Sequence, residues 1–221
     1  MELELRKILL QGASELDLAL TPEALDLFVL YHRELLLWNR RINLVSEKSS
    51  KEIVTRHFLD SLTAAPWIEH PDGPAIDLGS GAGFPGVPLA IVLPQFYVTL
   101  VEASRKKSSF LMHIQRTLRL ERVSVIRERI EALYGEKRCS GLFDTVLSRA
   151  AFKLPELIRM AAFFLKPGGL LVALKGLDSQ EEMNEAESVL ADVGMTRVAC
   201  RDVSLTFSKH YRKIITYRRN A

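Results

Sequence analysis

Four glycines fall within eight positions, at Gly79, Gly81, Gly83 and Gly86, directly after the short apolar run 75–78, and Asp77 stands two residues ahead of the first. A strand ending there must turn tightly. Glycine takes positive φ without steric penalty and lets the backbone approach a ligand that a Cβ would hold off. The helix that follows points its unpaired N–H groups at whatever sits in the turn. Gly81, Gly83 and Gly86 spell the Gly-x-Gly-x-x-Gly pattern of dinucleotide loops, which alone is a weak signal. Asp77 narrows the choice. A buried carboxylate at the end of the strand would organise the loop's N–H groups or a bound water network; it repels a pyrophosphate and tolerates an ammonium- and sulfonium-bearing amino acid, so charge favours S-adenosylmethionine over a nicotinamide dinucleotide. Glu102, nineteen residues after Gly83 and at the end of the next apolar run, fits an acceptor for both ribose hydroxyls.

These residues need a sheet to gather them. From 75 onward, apolar strand-like runs alternate with helical ones: strands at 75–78, 96–102, 122–126, 143–149 and 170–174, with helices starting near Pro85, Ser104, Arg129, Pro155 and Ser179. Such alternation predicts a parallel sheet covered on both faces, with its ligand beyond the carboxyl ends of the strands. Arg129, Ile130 and Glu131 then fall where a backbone edge and a side chain flank an adenine ring. Ser148-Arg149-Ala150 makes a polar, basic tip facing the cleft. Lys166-Pro167-Gly168-Gly169 reads as a sharp turn at the opposite edge. Two β-rich runs, 195–205 and 210–218, joined by Thr206-Phe207-Ser208-Lys209, read as an antiparallel hairpin closing the sheet. Ahead of the sheet, 3–18 and 22–38 carry apolar residues at helical spacing, the second with Thr21 as cap and Pro22 at its first position. Ser49 or Ser50 caps a third helix through Ile53, His57, Phe58 and Leu62. Three prolines between 66 and 74 mark the predicted boundary between a helical cap, 1–66, and the sheet domain, 67–221.

At 221 residues and 48% apolar content the chain supports one α/β domain with an appendage. No apolar run reaches the roughly 20 residues of a membrane helix, and the charged start Met1-Glu2-Leu3-Glu4 does not read as a signal peptide, so the expectation is a cytoplasmic protein. Cys139 and Cys200 have no metal or disulfide spacing and read as ordinary thiols; no metal is expected. The net charge is only +3 but is unevenly spread: 103–138 holds ten Lys or Arg against four acids, while 178–192 holds six acids and no base. That asymmetry suggests a basic face toward a polyanion.

Several strings together resemble the bacterial small-subunit ribosomal RNA guanine-N7 methyltransferases, the RsmG or GidB family, over nearly the whole chain. They are 38–44 (WNRRINL), 56–62 (RHFLDSL), the loop 77–86, Glu102 with Lys106-Lys107, 129–131 (RIE), 148–150 (SRA) and 166–169 (KPGG). The resemblance implies a Rossmann-like α/β fold with a seven-stranded, mostly parallel sheet, and methylation of N7 of a guanine in 16S rRNA, or in the small subunit, using S-adenosylmethionine. It places cofactor contacts on Gly79, Phe84, Ile130, Glu131 and Arg149; Asp77, Gly81, Gly83 and Glu102 join them from the loop reading. Ile130 stands where the family has a small residue.

Guanine N7 carries an in-plane lone pair, so attack on a sulfonium methyl needs alignment and dryness but no proton removal. No general base is therefore expected. Arg56, His57, Asp60 and Arg149 are candidates for positioning the guanine, with Asp60 and Phe84 as candidates to stabilise the cationic ring. His57 is expected to pack or hydrogen-bond, having no proton to take. Arg40, Arg41, Arg105, Lys106, Lys107, Arg212 and Lys213 are the candidate grip on RNA, a monomer being the default state. Two other readings stay open: an NAD-dependent oxidoreductase, and a non-catalytic RNA-binding assembly factor.

Overall fold

A computed structural model describes residues 2–47, 49–204 and 211–221. Helix α2 (Pro22–Asn39) forms where the apolar spacing places it, while α1 (Glu2–Ser14) stops short of the expected 18, the chain turning at Asp17 with φ +57°. Thr21 caps α2, its Oγ1 accepting the Ala24 N–H at 3.1 Å. Ser49 caps α3 (Ser50–Ile53), which runs on without a break through a π-helical stretch, Val54–Leu59, into a last α turn, α4 (Asp60–Leu62). The helical periodicity predicts one helix here; nothing in it marks the wider turn, a feature common at functional sites.

Seven strands follow: β1 (Pro74–Leu78), β2 (Tyr97–Val101), β3 (Val123–Ile126), β4 (Phe143–Arg149), β5 (Leu165–Lys175), β6 (Met195–Ser204) and β7 (Tyr211–Arg219). Their order is β3-β2-β1-β4-β5-β7-β6. The first five run parallel, and β7 enters antiparallel between β5 and β6. The expected joining segment of the hairpin, Thr206 to Lys209, lies outside the described residues. Strand residues alternate between two apolar clusters: Leu170, Val172 and Leu174 face one side of β5, Leu171 and Ala173 the other.

The first cluster gathers α5 (Gly86–Val92), α6 (Arg105–Thr117) and the N-terminal helices, so Leu9, Phe28, Leu35 and Phe58 share a core with Val87, Val98 and Leu111. The second lies under α7 (Ile130–Leu133), α8 (Leu154–Phe164) and α9 (Gln180–Leu190). Lys166 to Gly169 does not begin a new strand after a turn, as the sequence predicts. The ladder pairs Leu165 with Phe143 and resumes at Leu170 with Thr145, so the four residues bulge out of one continuous strand, with Gly168 at φ +81°.

Candidate active site at the sheet switch point

Strand order reverses between β1 and β4, and the glycine loop leaves the carboxyl end of β1 there. Backbone and side chains tie it down on both sides. The N–H groups of Gly79 and Ser80 both donate to the Val101 carbonyl, at 3.1 and 3.0 Å. Ser148 Oγ donates to the Leu78 carbonyl at 3.1 Å. Gly79, Gly81 and Gly83 take φ of +74°, +59° and +100°, the left-handed region that side chains resist. Gly86 is required for a different reason: a Cβ there would lie 2.4 Å from Leu100 Cδ2 and 2.9 Å from Asp77 Oδ2, so α5 packs on the sheet only without one.

Asp77 is fully buried and its Oδ2 accepts the Gly86 N–H at 3.0 Å. Its Oδ1 has no partner. Burial pushes the carboxyl up to about 7, against the opposing pull of the Gly86 bond, of the nearby Ser80 hydroxyl and of Arg149. Asp77 therefore braces the loop's N–H groups from beneath, as a buried carboxyl whose ionisation burial makes costly. Glu102 spans two elements: its Oε2 accepts the Gly81 N–H at 3.0 Å and its Oε1 the Ser104 N–H at 2.7 Å, at the start of α6.

Above the loop, Phe84 is enclosed. The His57 ring stacks on it with centroids 4.9 Å apart and planes at 15°, the Arg149 guanidinium carbon lies 4.9 Å from its centroid, and Tyr31 and Phe58 press from 5.7 and 6.0 Å. Arg149 Nη1 donates to the Arg56 carbonyl and to Asp60 Oδ2, both at 3.0 Å, and Nη2 to His57 Nδ1 at 3.0 Å. A donor at Nδ1 leaves the ring proton on Nε2, which meets Glu47 Oε2 at 2.7 Å. Burial, then the positive charge of Arg149, lowers the His57 pKa. Burial opposes the charge on Glu47, but the hydrogen bonds from His57 and Arg56 prevail and hold its carboxyl well below the usual range. Asp60, 4% exposed, gives its second oxygen to Arg212 Nε at 2.5 Å.

Arg56, His57, Asp60 and Arg149 thus meet in one network. The same geometry places Asp60 and Phe84, proposed to face the cationic ring, behind the side chains that surround them. Arg212 and Lys213, proposed for RNA, are paired with Asp60 and Asp202. Arg40, Arg41, Arg105 and Lys106 are exposed and Lys107 half-buried. Ile130 is buried in the second cluster, at the start of α7, and Glu131 is exposed beside it.

Sequence reasoning missed Tyr31, Glu47 and Lys175. Tyr31 is fully buried on α2 and its hydroxyl donates to the Ala82 carbonyl, joining the helical part to the loop. A tyrosine inside an apolar helical stripe needs such a partner, and that was the available signal. Lys175 Nζ binds Glu182 at 2.7 Å and the Phe152 carbonyl, anchoring the segment whose Ala151 Cβ would lie 2.8 Å from a Cβ on Gly79. Among the described residues, no cluster of three or more His, Cys, Asp or Glu could hold a metal, and no helix is long and apolar enough to cross a membrane.

The strand order, the antiparallel last pair and the glycine cradle at the switch point define the Rossmann-like fold of S-adenosylmethionine-dependent methyltransferases. An O-methyltransferase from Bacillus cereus solved in complex with SAH superposes with a TM-score of 0.60 at 18% identity, over 86% of this chain and 91% of that one. M. jannaschii TYW2 in complex with AdoMet gives 0.58 at 14%, over 81% and 78%. The profile of the GidB family, described as rRNA small subunit methyltransferase G, matches residues 24–209, and the chain belongs to that family. It is 42% identical to the ribosomal RNA small subunit methyltransferase G of Syntrophus aciditrophicus across 95% of this chain and 88% of that protein. The Bacillus subtilis protein of the same name is 32% identical across 94% and 87%.

Proposed function

We propose that the chain transfers a methyl group from S-adenosylmethionine to N7 of a guanine in 16S rRNA, as a cytoplasmic monomer, with residues 1–66 as a cap on the catalytic domain 67–221. One observation carries this reading: in a chain of the rRNA small subunit methyltransferase G family, left-handed glycines open a cradle at the switch point, rimmed by Glu102. The cradle fits the cofactor. A Cβ added to Gly81 meets nothing nearer than the Gly79 carbonyl oxygen at 3.9 Å, so the backbone edge is open there. Each Glu102 oxygen has a second lone pair for a hydroxyl donor. S-adenosylmethionine supplies an electrophilic methyl on a cationic sulfur. Gly79, Gly81, Gly83 and Glu102 would hold it along the β1 and β2 ends, Ile130 and Glu131 at its base, and Arg149 at the mouth, with Phe84 backing Arg149 from inside and Asp77 bracing the loop below.

The side chains need only align and exclude water, because guanine N7 attacks through its own lone pair. Both His57 nitrogens are engaged, by Arg149 and by Glu47, which fits a reaction without a general base. Exposed Arg40, Arg41, Arg105 and Lys106 serve the RNA backbone. The decisive experiment incubates the protein with small subunits from a strain lacking the enzyme and labelled S-adenosylmethionine, then maps N7-methylguanine by strand scission. Label on another base, on N1 or on a ribose oxygen would refute the substrate assignment.

A further inference from the structure

We propose that Arg212 and Asp60 are positioning residues for Arg149, and that Arg212 acts by denying Arg149 a two-pronged grip on Asp60. The consequence for turnover rests on the methyl-transfer reading above. Asp60 is a nearly buried carboxylate, and such a charge is stable only when its oxygens are met by cationic donors. Arg149 Nη1 meets Oδ2 at 3.0 Å, and the second donor arrives from β7, 152 residues away in the chain.

Left to itself, an arginine facing one carboxylate settles into a bidentate fork, with two parallel N–H···O bonds. Here Arg212 Nε occupies Oδ1, so Arg149 reaches Asp60 through Nη1 alone. Its other committed donors then go to the Arg56 carbonyl and to His57 Nδ1. Three of the five guanidinium N–H groups are fixed in this way, and they hold the plane against the Phe84 ring. Without Arg212, Oδ1 is open, Arg149 can turn to fork onto Asp60, and the bond to His57 is the one given up. Arg212 therefore selects between two geometries of a group at the mouth of the site.

Arg212→Gln and Arg212→Lys in the full chain test this. The first readout is the imidazole 15N spectrum of His57, which reports the donor at Nδ1. The second is the single-turnover rate on small subunits, and the third is the salt dependence of binding to them. Arg212→Gln should shift the His57 Nδ1 resonance and slow single turnover about tenfold or more, since misplacement of site groups is costly. The salt slope should stay unchanged. Arg212→Lys, a point charge that still covers Oδ1, should restore the resonance and most of the rate. An unmoved His57 signal overturns the proposal. So does a salt slope lowered by about one, the mark of a phosphate contact. Absence of methyl transfer by the unaltered protein would instead refute the functional reading, leaving the His57 signal to judge the clamp.

Discussion

Asp77→Asn offers the sharpest test of how the cofactor loop is built. The side chain is fully buried, with one oxygen bonded to the Gly86 N–H and the other unpartnered. Burial raises its pKa from 3.8 to about 7. At about 1.4 kcal/mol per pH unit, ionised Asp77 costs the folded state about 4 kcal/mol. The sign is the reverse of the usual carboxylate. Below about pH 4 both states hold the proton and the cost is absent; it grows as pH rises toward about 7, because the unfolded chain releases the proton first. Between about pH 5 and about pH 8 the linkage amounts to about 2.5 kcal/mol. Asparagine keeps an oxygen for Gly86 and carries no charge at any pH, so the variant should gain about 2.5 kcal/mol on the natural protein across that interval. Urea unfolding at both pH values, followed by circular dichroism, measures the double difference. A difference that stays flat with pH would refute the reasoning, and one of opposite sign would show Asp77 stabilised as an anion.

The other predictions concern the same loop and its cover. Gly86→Ala forces a Cβ against Leu100 and Asp77 and should cost about 1–3 kcal/mol by overpacking, read as a lower melting temperature. Tyr31→Phe removes the hydroxyl that meets the Ala82 carbonyl and should cost about 1–3 kcal/mol. Calorimetry on that variant should also show weaker S-adenosylmethionine binding, and unchanged affinity would separate Tyr31 from the cradle. At saturating S-adenosylmethionine, single-turnover rates should be flat between about pH 6.5 and about pH 8.5, since burial keeps His57 neutral and no proton is transferred. A slope of one per pH unit that persists in Asp77→Asn, which removes the loop carboxyl titrating at about 7, would expose a base.

Much of the architecture was legible because it is local. Alternation of apolar runs forecasts the parallel sheet, turn chemistry locates the glycine loop after β1, and Thr21, Ser49 and Ser104 announce helix starts through their own hydroxyls. The strings around 38–44, 56–62 and 77–86 pointed to the family by residue type alone. Charges were another matter. Arg212 and Lys213 read as a grip on RNA with no sign of their pairing to Asp60 and Asp202, and nothing announced how far burial lifts the Asp77 carboxyl, because a sequence shows which groups can ionise but not what faces each or how completely it is enclosed. Only folding brings Asp60 between Arg149 and Arg212, or slides His57 onto Phe84, since those partners lie on elements far apart in the chain. Burial sets the cost of a charge and the partner sets its compensation, and both are properties of three-dimensional packing.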